Sequence, residues 1–347
     1  MMNLKKFILK YWVFILLAFL VAFFTSTYFI NKYQPKIKVE DLLKIPILAL
    51  SSYQIKNQPE YSSLEKDFPQ LKKEALVFEI KKQIFSNQEA ISIANRFNFK
   101  NEPTVQQDQS SKDIFYFWED EEIGNLSINL SKGEVNYTNK KGFLFIPGIK
   151  RKLPSLNEAE NFTWSFIKEK EFSPLIENTN LVLIKNQYYK DKESDIEEVN
   201  SPENADFINL SLEYQINNIN VKEAAINLTI GENLEILKFN YSSLFSELKE
   251  LSLYPLKGKS EILQALKNNK TINNLRLIGG DTIIKDDSQN IKNIDLNEIE
   301  LVYLKTEIPQ PYLQPIFFIS GQAILNNERA AKVGIYLPAI KDEYLLK

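Results

Sequence analysis

Hydrophobic and polar positions are arranged in three ways along this chain, and each predicts a different kind of element. The first is a continuous apolar run. Between Lys10 and Lys32 no residue is charged, and Tyr11 to Ile30 is interrupted only by Thr25, Ser26 and Thr27. At about 1.5 Å per residue this stretch makes a helix of roughly 30 Å, the thickness of a bilayer's hydrocarbon core. Tyr11, Trp12, Tyr28 and Tyr33 stand at its ends, where amphipathic rings favour the headgroup region. A cleaved signal peptide shares the basic start and apolar run, but no A-x-A site is present and the run is longer than a signal peptide's apolar stretch. The reading is therefore a short cytoplasmic tail at 1–10 and a transmembrane helix at 11–30, with the rest exported. Lys5, Lys6 and Lys10 face Lys32, Lys36 and Lys38 across the helix, so the positive-inside rule nearly cancels and the shortness of the tail decides the orientation. Ala18, Ala22 and Ser26 recur every four residues, a stripe of small side chains that would let a partner helix approach closely in lipid.

The second arrangement has helical period. Ser86-x-x-Glu89 and Ser155-x-x-Glu158 are capping boxes, in which the serine oxygen and the glutamate carboxylate satisfy amide donors at a helix start. Ala90, Ile93, Ala94 and Phe97 follow the first box, and Ala159, Phe162, Thr163 and Phe166 the second, in the same i, i+3, i+4, i+7 register. A weaker copy starts at Gly258, with Glu261 at the same offset. The third arrangement alternates. Ile128-Asn-Leu-Ser-Lys-Gly133-Glu134 and Ile226-Asn-Leu-Thr-Ile-Gly231-Glu232 read as strand ends running into hairpins, where Gly133 and Gly231 can take the positive φ of a tight turn. Together these features predict an α+β class: an N-terminal transmembrane helix followed by repeated helix-plus-antiparallel-sheet units. Residues 31–73, with four prolines, read as a spacer. The units fall at 74–142, 150–245 and 254–347, the last with strands near 298–307, 313–325 and 330–337. Residues 191–204, rich in Asp, Glu, Ser and Asn, read as a solvated loop.

A capped helix, antiparallel strands and a closing Gly-Glu hairpin resemble the PepSY-type module, whose last hairpin carries a V-D-A-x-T-G-E signature. Gly133-Glu134 and Gly231-Glu232 match it, with Asn in place of Asp. The whole layout resembles the YycH/YycI-like membrane-anchored regulators. In the last third Tyr254-Pro255, a helix at 259–269, a strand at Ile299–Leu304 and Gln314-Pro315-Ile316-Phe317 follow the order of that family's C-terminal unit. The resemblance implies a non-catalytic protein that binds a sensor kinase through its membrane helix or partners outside the membrane.

Composition narrows the chemistry. Residues 1–38 hold six lysines and no acid, so the remainder carries a net charge of −9 against −3 for the whole chain. Such a surface repels phosphate backbones, which disfavours nucleic acid. The chain has neither cysteine nor histidine, which removes thiolate nucleophiles, imidazole bases and Cys/His metal sites, and no cofactor is expected. Eight N-x-S/T triplets begin at Asn125, Asn129, Asn136, Asn161, Asn209, Asn227, Asn240 and Asn269, as chance supplies in an Asn- and Ser-rich chain. Trp118 is followed by Glu119, Asp120, Glu121 and Glu122, a carboxylate group of the kind a glycosidase uses, although neighbours on a strand end point to opposite faces. Asp191, Asp195, Glu197 and Glu198 offer oxygen ligands for calcium, but Lys190 and Lys192 compete. Asp286–Asn290 opens like an EF-hand loop, yet Ile291 and Asn297 stand where glycine and glutamate are required. A Ser-Lys dyad needs no histidine, but no spacing selects a pair. The expected function is a membrane-anchored extracytoplasmic binding or regulatory module working through protein partners. The alternative is an exported carboxylate-dependent hydrolase of cell-envelope glycans.

Overall fold

The computed structural model describes residues 42–346 apart from 49, 51, 57, 83–84, 141–151, 175–177, 193–194, 245–246, 270, 278–290 and 307–309. The chain divides into two units, Met1–Leu43 and Lys44–Lys347. Among the described residues no helix is long and apolar enough to cross a membrane. The run at 11–30, with Ala18, Ala22 and Ser26, lies outside them, as does Asp286–Asn290.

The second unit opens with β1 (Ile45–Pro46), β2 (Tyr53–Gln54), helix α1 (Ser62–Lys66) and β3 (Glu74–Lys82). Helix α2 (Asn87–Arg96) leads into a meander of β4 (Thr104–Gln107), β5 (Ile114–Asp120), β6 (Gly124–Asn129) and β7 (Glu134–Asn139). Helix α3 (Leu156–Glu169) precedes β8 (Thr179–Lys192), β9 (Asp195–Val199), β10 (Phe207–Ile216), β11 (Ile219–Ile230) and β12 (Ile236–Ser242). Then come β13 (Glu247–Pro255), helix α4 (Lys259–Asn268), β14 (Thr271–Ile272), β15 (Asn274–Leu277) and β16 (Ile291–Leu304). The chain ends with β17 (Tyr312–Leu313), β18 (Pro315–Leu325), β19 (Ala330–Pro338) and β20 (Leu345–Leu346).

The local signals act as their chemistry requires. Ser86 Oγ accepts from Glu89 N at 3.2 Å and Glu89 Oε2 from Ser86 N at 2.7 Å. Ser155 and Glu158 repeat the exchange at 3.2 and 2.8 Å. Helix α2 buries Ala90, Ile93 and Ala94, with Phe97 beyond its end. Phe97 packs on Tyr137 and Phe239, and Phe166 of α3 packs on the same Phe239, so both helices cover the same face of the sheet. Burying each such ring is worth on the order of 2 kcal/mol.

The expected class is overturned. Among the described residues strands take 51% and helices 19%, so the chain is mostly β, with one large mixed sheet in place of repeated helix-plus-antiparallel-sheet units. Thirteen strands join in that sheet: β15-β19-β18-β16-β11-β12-β7-β6-β5-β4, with β10 on β11, β8 on β10 and β9 on β8. Exposed strand edges attract partners, and here the edges of successive stretches pair with one another. Strand β7 takes β12 antiparallel, and β11 takes β16 parallel at Val221↔Tyr303. Glu223, at φ 63°, lies just past that parallel contact, near the register shift between β10 and β11. In the last stretch β16, β18 and β19 pair antiparallel in chain order, while β15, which precedes them, lies beyond β19. The helices also differ, since α3 buries Thr163 and Ile167 while Phe162 is only half-buried.

Two further stretches differ from their sequence reading. Residues 45–66, read as spacer, are woven into the fold: β1 pairs with β20, β2 with β14, and Ile45 and Leu64 are buried. Apolar residues at spaced positions there supply the contact that proline content concealed. Within the stretch read as a loop at 191–204, residues 191–192 and 195–199 lie on the antiparallel strands β8 and β9, whose register sets Lys190 opposite Glu197, so opposite charges offset the low strand propensity of acidic residues.

Candidate functional site

Three segments remote in sequence meet at one corner of the fold. Pro255 at the end of β13 pairs with Glu74 at the start of β3. Leu256 N then donates to Lys73 O at 2.8 Å, Lys257 N to Ala339 O at 2.8 Å, and Lys341 N to Pro255 O at 3.2 Å. This lacing surrounds a cavity of about 440 Å³ lined by Lys72, Lys73, Lys257, Lys259 and Lys341, together with Phe68 and Glu261. Five lysines thus line one cavity in a unit whose overall charge is negative.

The five are held differently. Lys257 is buried; its Nζ donates to Pro338 O at 3.0 Å and pairs with Asp342 at 2.8 Å, as an amine out of water requires. Lys259 Nζ donates to Glu65 O at 2.7 Å and lies 5.4 Å from the centre of the Phe68 ring. Lys72, Lys73 and Lys341 have no carboxylate within ion-pair distance among the described residues. Glu261 turns its carboxylate to Gly258 N at 2.7 Å, capping α4. With Asp342 and Glu261 offsetting part of the charge, the arrangement leaves a net positive field in a concave, partly apolar setting, which concentrates anions.

The residues singled out in sequence lie elsewhere. Gly133, at φ 65°, closes the β6–β7 turn. Glu134 begins β7 and stands in register with Ser242 of β12. Gly231 is extended at φ −99°, and Asn233 and Leu234, at φ 56° and 61°, make the turn in its place. Glu232 accepts from Lys152 N at 3.4 Å. The structure does select one serine and lysine: Lys305 Nζ donates to Ser242 Oγ at 2.8 Å and to Lys132 O at 3.2 Å. Burial lowers this amine to about 8, against the nearby Glu134 charge. With its protons directed to two acceptors, Lys305 ties the first hairpin to β12.

The acids behave as structural groups. Asp120 accepts from the backbone amides of Ile123 and Glu122 at 3.0 and 2.8 Å, and these bonds lower its pKa. Hydrogen bonds from Ser110 and Ser111 hold Asp108 at about 2. Both shifts run opposite to the raised pKa of a general acid. Asp191, Asp195, Glu197 and Glu198 sit on the paired strands of the β8–β9 hairpin, where successive residues alternate in face.

No known protein family matches the chain, and no curated protein does. Among solved structures it is similar to an uncharacterized protein from Eubacterium rectale ATCC 33656, at 12% identity and a TM-score of 0.44, over 76% of this chain and 83% of that one. It is also similar to cyanobacterial PsbP (CyanoP) from Synechocystis sp. PCC 6803, at 8% identity and a TM-score of 0.20, over 49% of this chain and 89% of that one. Neither score reaches the level of a shared fold.

Lysines 72, 73, 257, 259 and 341 were missed by the sequence reading. Lysine is common throughout, and only the pairing of β3 with β13 and the return of the C-terminal segment bring these five together.

Proposed function

We propose that this protein is a membrane-anchored extracytoplasmic binding module that holds an anionic group of a partner in its lysine-lined cavity and performs no chemistry on it. The convergence of five lysines on one cavity in an otherwise acidic unit carries this reading. The apolar segment at 11–30 would supply the tether, and the partner would be a membrane or envelope protein offering carboxylates or phosphates. Lys72, Lys73 and Lys341 are the binding groups, since Lys257 and Lys259 already have acceptors.

The test is titration of the full-length protein in nanodiscs with polyglutamate and, separately, polyphosphate. Binding to at least one, weakening with salt, is expected. Replacing Lys72, Lys73 and Lys341 together by glutamine should weaken it at least about tenfold, a loss of roughly 1.4 kcal/mol. Equal affinity in the triple variant, or no binding of either polymer, would overturn the proposal.

A further inference from the structure

Five of the eight N-x-S/T triplets lie side by side. Those starting at Asn125, Asn136, Asn240, Asn227 and Asn209 occupy β6, β7, β12, β11 and β10, consecutive neighbours in the sheet. Strand alternation explains the triplets. Their middle residues Leu126, Tyr137, Leu228 and Leu210 are buried and Tyr241 is half-buried, so the flanking asparagines, serines and threonines turn to the outer face. That face is opposite the one covered by α2 and α3.

Strand register aligns Ser127, Asn136, Asn240, Asn227 and Ser211 in one row. Phe117 and Thr104 continue it onto β5 and β4. Seven strands spaced about 4.8 Å apart make the row roughly 29 Å long. These seven positions include no charged residue, although 25% of the chain is charged. Charge returns where the row reaches β8, at Lys185 opposite Ser211, and in the flanking rows, at Lys238 and Glu119 on one side and Glu134 and Glu213 on the other. Asn136, Asn227 and Asn240 are exposed. Ser211 Oγ donates to Asn227 at 2.6 Å, while the amides of Asn136 and Asn240 have no hydrogen-bond partner among the described residues. Half-buried Phe117 stacks on Phe115, with centroids 5.9 Å apart and planes 16° apart.

We propose that this row binds a neutral polysaccharide laid across the strands. Each amide offers both a donor pair and an acceptor, the combination that sugar hydroxyls match. The two phenyl rings supply an apolar surface for the C–H face of a sugar. Charge complementarity favours a neutral polymer: it strands no ion of its own against the row, whereas an anionic polymer would lose hydration along seven strands with a cation, Lys185, only at the row's β8 end. The site is separate from the lysine-lined cavity and stands whether or not that cavity binds anions.

Affinity electrophoresis of the full-length protein in mild detergent, through gels containing hydroxyethyl cellulose or glycol chitin, tests the proposal, with polyglutamate as the charged control. Retardation by at least one neutral polymer is expected. Asn136→Asp combined with Asn240→Asp, which adds charge without changing size, should weaken it about tenfold, the value of one or two lost hydrogen bonds. Asn136→Lys provides the same test with the opposite charge should the double variant lose its native circular dichroism. Asn269→Asp, off this face, should change nothing. No retardation by either neutral polymer, retardation by polyglutamate alone, or retardation undiminished in the folded row variants would overturn it.

Discussion

The two hairpins that share the apolar-Asn-apolar-x-x-Gly-Glu pattern turn in different ways. In the first, β6 ends at Asn129, whose side chain accepts from Lys132 N at 3.1 Å, and Gly133 takes φ 65°. In the second, β11 runs on through Thr229 and Ile230, Gly231 stays extended, and the reversal falls to Asn233 and Leu234. The difference lies in the unshared positions. Ser131-Lys132 suits a turn, whereas β-branched Thr229-Ile230 prolongs a strand. A matched glycine therefore does not mark a matched conformation; the residues before it decide whether the chain is still in the ladder.

Lys305 should give the largest effect, because it holds the turn of the first hairpin, at Lys132, against the end of the second hairpin's strand β12, at Ser242, and makes no such bond to the turn of the second. Lys305→Met would leave Lys132 O and Ser242 Oγ without this donor, at a cost of about 2 kcal/mol in chemical denaturation. The pH dependence carries a sign. The folded pKa, about 8, lies below the ordinary 10.5, so between these values the unfolded chain binds the extra proton and stability rises with pH. The rise attributable to this amine should vanish in the methionine variant; an unchanged profile would mean that Lys305 is not buried as described.

The glycines should respond in the opposite order to their apparent equivalence. Gly133→Ala forces a side chain into left-handed backbone, costing about 1–2 kcal/mol. Gly231→Ala meets no such strain, and its new methyl would lie 3.0 Å from the side chain of Leu237, which can shift, so a loss below about 1 kcal/mol is expected. Thermal unfolding of the two variants checks the order. Smallest of all, Asn233→Gly should lie within about 0.5 kcal/mol of the parent, since both residues accept its φ of 56°. A large loss there would return the reversal to Gly231.

The sequence by itself determined what is local. Ser86, Glu89, Ser155 and Glu158 set two helix starts, because a capping box is completed within four residues. Alternation set the strand ends at Ile128 and Leu130 and at Ile226 and Leu228, all four buried. Tertiary structure alone decided the pairing of β7 with β12 and of β11 with β16, the weaving of residues 45–66 into the body, and the meeting of Lys72, Lys257 and Lys341. The reason is physical. Backbone hydrogen bonding at a strand edge is indifferent to side-chain identity, so many edges satisfy it equally, and the choice among them rests on how distant apolar faces pack together. A cavity wall drawn from three such segments leaves no spacing in the chain by which to find it.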